Sequence, residues 1–164
     1  MATWGEFAAA APDLAATCVQ RLDRYGLVYI GTVRRDGSPR VSPTEPLFAH
    51  GELYLGMMHR SRKALDLLRD PRIEILNATT DRMMGDAEAH VRGRVREVTD
   101  HGEIDRFTQA CRAKIDWAPE GYDWHLFAVD VESVLTVGMA DDRLTWQRWS
   151  SDTPDRVEEG DRPG

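Results

Sequence analysis

A chain of 164 residues, 41% hydrophobic and 30% charged, has enough material for one domain with its own core and too little for two. Twenty-one Lys and Arg against 28 Asp and Glu leave a net charge of −7, which repels a polyanionic backbone and argues against nucleic-acid binding. No window approaches the roughly 20 continuous apolar residues of a membrane span, and the start has neither the basic region nor the apolar run of a signal peptide, so the sequence reads as a cytoplasmic protein off the membrane.

Residues 1–25 read as a helical segment. Thr3 and Glu6 have capping-box spacing, Pro12 and Asp13 suit a second helix start, and Leu14, Cys18, Leu22 and Tyr25 keep one face apolar up to Gly26. Residues 27–33 then form a β-rich run that ends on the turn signal Asp36-Gly37-Ser38-Pro39. A return strand starts at Arg40, with Pro43 and Pro46 marking an edge or a bulge, and 49–52 turn it into a strand over 53–57.

A short helix is expected from 61 to about 69, with Ala64, Leu65 and Leu68 on its apolar side and Asp70-Pro71 closing it. A strand follows over 72–79, and residues 87–96 alternate with period two, placing Ala, Ala, Val, Gly and Val on one face. Asp100 and Glu103 cap a helix to about 115 with Ile104, Phe107, Cys111 and Ile115 along one stripe. Apolar runs at 126–131, 134–137 and 144–149 supply the last strands. Residues 150–164 are polar and acidic and read as a frayed tail outside a single domain over 1–149. Hairpin-connected strands with a few interspersed helices fit a small antiparallel barrel better than a doubly wound parallel sheet. Cys18 and Cys111 are isolated, so they build neither a disulfide framework nor a metal site, and the five histidines lack the spacing of a metal motif.

The chemistry concentrates at Arg60-Ser61-Arg62-Lys63, where a strand ends and a helix begins. A helix N-terminus already carries about half a positive charge, so three cations there cost stability unless an anion neutralises them. Ser61 can cap the helix, the first free N–H groups point outward, and Arg62 and Lys63 add a planar fork and a point charge: a phosphate cradle. The bland alternative is a solvated basic corner.

Residues 29–76 resemble the flavin-binding split-barrel superfamily that includes the pyridoxamine 5′-phosphate oxidases. The matching pieces are Asp36-Gly37-Ser38-Pro39-Arg40, Leu53-Tyr54-Leu55-Gly56, the run Ser61-Arg62-Lys63 through Asp70-Pro71-Arg72, and Gly85-Asp86-Ala87-Glu88 with Val91-Arg92-Gly93-Arg94-Val95. The resemblance implies a mainly β (α+β) fold, a six-stranded antiparallel split β-barrel of Greek-key type with flanking helices. It also implies a homodimer with FMN in clefts between the subunits and a small-molecule substrate. Arg62, Lys63 and Arg40 align with phosphate ligands, Ser61 with the neighbouring motif residue, and Leu55 and Gly56 with positions that touch the flavin. Glu88 stands where the oxidases often carry Gln, and Glu45 where they often carry Lys. With the C-terminal Arg-Leu-x-Pro signature absent, these departures speak against pyridoxamine phosphate oxidation itself. The expected function is an FMN-binding oxidoreductase. The alternatives are a reductase using the deazaflavin F-420 on the same fold and a non-catalytic flavin or haem carrier. Loop 81–86 reads as a connector or a lid over the cleft.

Overall fold

The computed structural model describes residues 1–82 and 87–163. Both bonds of the predicted capping box are made: Glu6 N–H donates to Thr3 Oγ1 at 3.2 Å and Thr3 N–H to the Glu6 carboxylate at 2.8 Å, which starts α1 (Trp4–Ala10). The chain breaks at Ala11 and restarts with Pro12 in the first turn of α2 (Pro12–Asp23), where the missing proline N–H leaves no bond unmade. Phe7, Leu14, Cys18 and Leu22 face inward. Burial raises the Cys18 thiol to about 12, so it stays an uncharged core group.

Nine strands follow, β1 (Val28–Val33), β2 (Pro39–Thr44), β3 (Pro46–Ala49), β4 (Glu52–Met58), β5 (Arg72–Asn77), β6 (Glu88–Glu97), β7 (Trp124–Ala140), β8 (Arg143–Ser150) and β9 (Val157–Pro163), with α3 (Arg62–Arg69) and α4 (His101–Ile115) between them. All pairings are antiparallel, in the order β2-β1-β5-β6-β7-β4-β3. Glu45 alone separates β2 from β3, so one stretch of chain lies at both ends of that path. The expected count of six becomes nine among the described residues because this stretch is interrupted at Glu45 and because β8 and β9 extend the sheet beyond β7. The β1–β2 turn is the one predicted: Gly37 takes φ 84°, and Asp36 Oδ1 accepts from the Ser38 N–H and hydroxyl.

The apolar runs at 126–131 and 134–137 belong to one strand. Arg92 pairs with Ser133 and Gly93 with Val131, which leaves Glu132 as the extra residue of a bulge. A side chain at position 93 would place Cβ 2.1 Å from Asp130 O, so only glycine fits there. One core lies between α1, α2, α3 and the inward residues of the strands, including Ile30, Leu55, Ile75, Val91, Phe127 and Trp149; a second, around Tyr54, Phe107, Leu126 and Ala128, lies under α4.

Two expectations are corrected. Residues 157–163 are not a frayed tail, because β9 pairs with β8 along its length. The acidic composition that suggested solvation is matched across the strands: Arg143 donates to Asp161 at 2.7 and 2.9 Å, Glu158 lies opposite Arg148, and Gly160 admits the Trp146 ring. In α3, Ala64 and Leu67 face the core, whereas Leu65 and Leu68 are 41% and 44% exposed. The lid or connector read at 81–86 falls largely outside the described residues. Among the described residues no helix is long and apolar enough to cross a membrane.

Candidate functional site

β4 carries the chain to the start of α3 through His59 and Arg60. Arg60 sits at φ 52°, a left-handed conformation that costs a non-glycine residue roughly 1–2 kcal/mol. Ser61 N–H donates to Met58 O at 3.1 Å, closing the turn. Ser61 does not cap α3 as expected: its hydroxyl makes no cap hydrogen bond and is buried without a partner among the described residues. The first helical bond, Leu65 N–H to Ser61 O, leaves the N–H groups of residues 62–64 without an intrahelical acceptor. Around them Arg60 and Arg62 are exposed and make no hydrogen bond or ion pair among the described residues.

Lys63 and Arg40 tie this helix to β2 at two points. Lys63 Nζ donates to Pro43 O at 2.5 Å; burial lowers the pKa of its ammonium, against the opposing charge of Glu45. Arg40 Nε donates to Asp66 Oδ2 at 2.6 Å, which occupies one edge of the guanidinium and leaves its terminal nitrogens for another acceptor. Asp66, its side chain 6% exposed, also accepts from Thr32 Oγ1 at 3.1 Å and from Arg69 at 3.3 Å. Burial alone would raise the Asp66 carboxyl, but the hydrogen bonds from Arg40 and Thr32 outweigh it and hold it below the usual range. This buried acid went unread in the sequence, where it is one polar letter in an amphipathic helix.

The Leu55 side chain lies wholly in the core, so at that position only backbone could meet a ligand. Gly56 is half-buried, with Thr44 Oγ1 donating to its carbonyl at 3.4 Å. The structure thus brings Gly56, Ser61, Arg62, Lys63 and Arg40 to the elements β4, α3 and β2. No hydrogen bond or ion pair among the described residues joins Glu88 to them. Its carboxylate approaches His90 Nε2 at 3.3 Å, and Glu74 approaches His90 Nδ1 at 3.5 Å.

Glu74 first, and Glu88 after it, raise the His90 pKa against burial. A raised folded-state value means that the stabilisation is complete below the unfolded value of about 6.5 and is lost as pH rises through the folded one. His90→Gln should therefore lower the melting temperature at pH 5.5 and leave it nearly unchanged at pH 9. An equal loss at both pH values would show that the ion pairs contribute nothing.

A cleft of about 360 Å³ opens beside the same turn, lined by His59, Glu97, Tyr122, Asp123, Trp124 and His125 among others. The rings of His59 and His125 stack at 5.1 Å and 10°, and His125 Nδ1 lies 2.8 Å from Glu97 Oε1. The His125 side chain is largely buried, 12% exposed. Among the described residues no three His, Cys, Asp or Glu side chains converge as a metal set.

A family model described as pyridoxamine 5′-phosphate oxidase matches residues 14–138, and the chain belongs to that family. No curated protein matches it in sequence. Among solved structures it is similar to a Clostridium acetobutylicum protein related to general stress protein 26, of the pyridoxinephosphate oxidase family (14% identity, 92% of this chain and 98% of that one, TM-score 0.60). It is similar also to general stress protein 26 of Bacillus anthracis (16%, 74% and 91%, 0.57) and to a heme binding protein of Mycobacterium smegmatis (16%, 88% and 57%, 0.56). At such identities the likeness is one of fold.

Proposed function

We propose that this chain is an FMN-binding oxidoreductase acting on a small molecule, working as a homodimer whose subunits share split-barrel cofactor clefts. The observation that carries the reading is the start of α3, where Arg60 and Arg62 stand unneutralised on the positive end of a helix with its N–H groups free. A phosphate dianion removes that electrostatic cost. The rest of the local structure fits the group: Arg40 is held by Asp66 with its terminal nitrogens unspent, and the half-buried Gly56 lies on β4, the strand that leads to Ser61, whose hydroxyl lacks a partner among the described residues.

The flavin, when bound, supplies two-electron chemistry. Arg62, Lys63 and the amides of the first turn of α3 hold its phosphate, Arg40 adds a second fork from β2, and the backbone at Leu55 and Gly56 orients the ring. Glu88, engaged with His90, is not part of the proposed set. Dimerisation is supported by apolar surface: Tyr29 and Val41, the latter 72% exposed, share the outward face of β1 and β2, and Leu65 and Leu68 lie exposed along α3.

The test is the visible absorption of the purified protein after incubation with FMN or with the deazaflavin F-420 and gel filtration. Stoichiometric retention of the two-band flavin spectrum, on a particle of twice the chain mass, is the expected result. Retention of the deazaflavin alone would transfer the reading to that coenzyme, and a Soret band in the protein as isolated would favour a haem carrier. Loss of both flavins at concentrations well above a micromolar dissociation constant, about −8 kcal/mol, would end the proposal.

A further inference from the structure

We propose that the cleft beside the His59 turn seats a flat, uncharged ligand that donates a hydrogen bond to His125 Nε2, a phenolic hydroxyl being the simplest such donor. As the place of the substrate this rests on the flavin reading; as a binding site it stands on its own geometry. The argument starts from His125. Glu97 Oε1 lies 2.8 Å from Nδ1, and an ionised carboxylate can only accept, so Nδ1 carries the hydrogen and the lone pair of the neutral ring is on Nε2. That nitrogen is buried and has no partner. Carboxylate-oriented imidazoles present a defined, more basic nitrogen to whatever occupies the far side. Among the described residues no donor of the chain meets that nitrogen.

The walls narrow the ligand. About 360 Å³ is near the lower end of small-molecule sites and suits one substituted ring. Trp124, Tyr122 and Ile104 supply aromatic and apolar surface, and Trp124 is steadied by Phe107 at a ring distance of 5.4 Å. The carboxylates lining the cleft, Glu97 and Asp123, face no Lys or Arg in its wall, so a phosphate or carboxylate is repelled. Access falls to His59, an exposed ring that touches His125 by stacking and makes no hydrogen bond among the described residues. Because His59 precedes Arg60 directly, a phosphate on the cradle and an uncharged ring in the cleft would meet at one turn. Their chemistries are opposite, which distinguishes this cleft from a seat for a phosphorylated vitamin.

The test uses 4-methylphenol, with 4-methylbenzoate as its anionic counterpart, titrated into the whole protein. Binding is read from Trp fluorescence and from the His125 Nε2 nitrogen resonance. Saturable binding of the phenol that moves that resonance, with no saturation by the benzoate, is expected. His125→Phe keeps a ring and removes the acceptor; it should weaken the phenol about tenfold, the change that ~1.4 kcal/mol produces. A phenol that does not saturate, a benzoate that binds as well, an unmoved Nε2 resonance, or equal affinity in His125→Phe would each overturn the proposal. FMN retention measured on the same samples separates the two readings. Phenol failing while FMN binds strikes this cleft alone, and FMN failing while phenol binds strikes the cradle alone.

Discussion

Asp66→Ala is expected to destabilise the protein by about 3 kcal/mol at pH 7, with Asp66→Asn losing a smaller part of that. The carboxylate is where α3 meets β1 and β2: it accepts from Thr32 on β1, Arg40 on β2 and Arg69 one turn further along its own helix. Removing it leaves the buried Thr32 hydroxyl without its acceptor and the largely buried Arg40 guanidinium without its counter-charge, and the cost of the variant is chiefly those two stranded groups. Asparagine keeps an acceptor and gives up the charge. The sign of the pH dependence follows from the depressed carboxyl. Its contribution is complete above the unfolded value of about 3.9 and fades as pH falls through the lower folded value. Urea titrations at pH 7 and pH 3 should therefore show the gap between wild type and Asp66→Asn narrowing in acid. A loss under about 1 kcal/mol for the alanine variant would mean that α3 is held by its apolar face alone.

Local rules made much of this fold legible. The Thr3–Glu6 box, the Asp36-Gly37 turn, the Asp100 cap and the alternation expected over residues 87–96 each involve groups a few residues apart; the first three take the expected form, and the alternation holds from Glu88 on, Ala87 lying before the strand at φ 51°. Even the bulge at Glu132 left a trace, since the buried series Phe127, Val129, Val131 resumes at Val134 and Thr136, one residue out of phase. Where the deciding partner was remote, the reading failed. Leu65 and Leu68 look like the buried face of α3, but Asp66 takes an inward place because Arg40, 26 residues earlier, meets it there. The acidic C-terminal stretch looks solvated until Arg143 and Arg148 are set across from it. The site divides along the same line. The basic cluster at 60–63 is contiguous and readable. Glu97 and His125 are 28 residues apart, and no spacing rule joins them.

The second large effect concerns the cradle, and its usefulness lies in two opposite signs. Arg62→Ala with Lys63→Ala should weaken FMN by about 3–5 kcal/mol in total, a factor of roughly a hundred to a few thousand, because each charge-assisted contact contributes roughly 1.5–3. Riboflavin, which lacks the phosphate, should bind wild type and variant alike, so the ratio of the two affinities isolates the phosphate. The wild-type preference for FMN should fall with added salt, since Arg62 is exposed and its attraction is screened, and the variant should show little of that dependence. Without ligand the variant should be no less stable, and up to about 1 kcal/mol more stable, because two positive charges leave the positive end of α3. The loss of Lys63 to Pro43 O works against that gain and sets its upper limit. A variant that binds FMN as wild type does would show that the basic corner is only solvated surface. A variant that loses riboflavin equally would show that the substitutions disturbed the strand beneath rather than the phosphate. Tighter folding with weaker FMN binding is the combination expected of a ligand-neutralised cradle, in which cations at the helix start cost the empty protein stability and a bound anion would remove that cost.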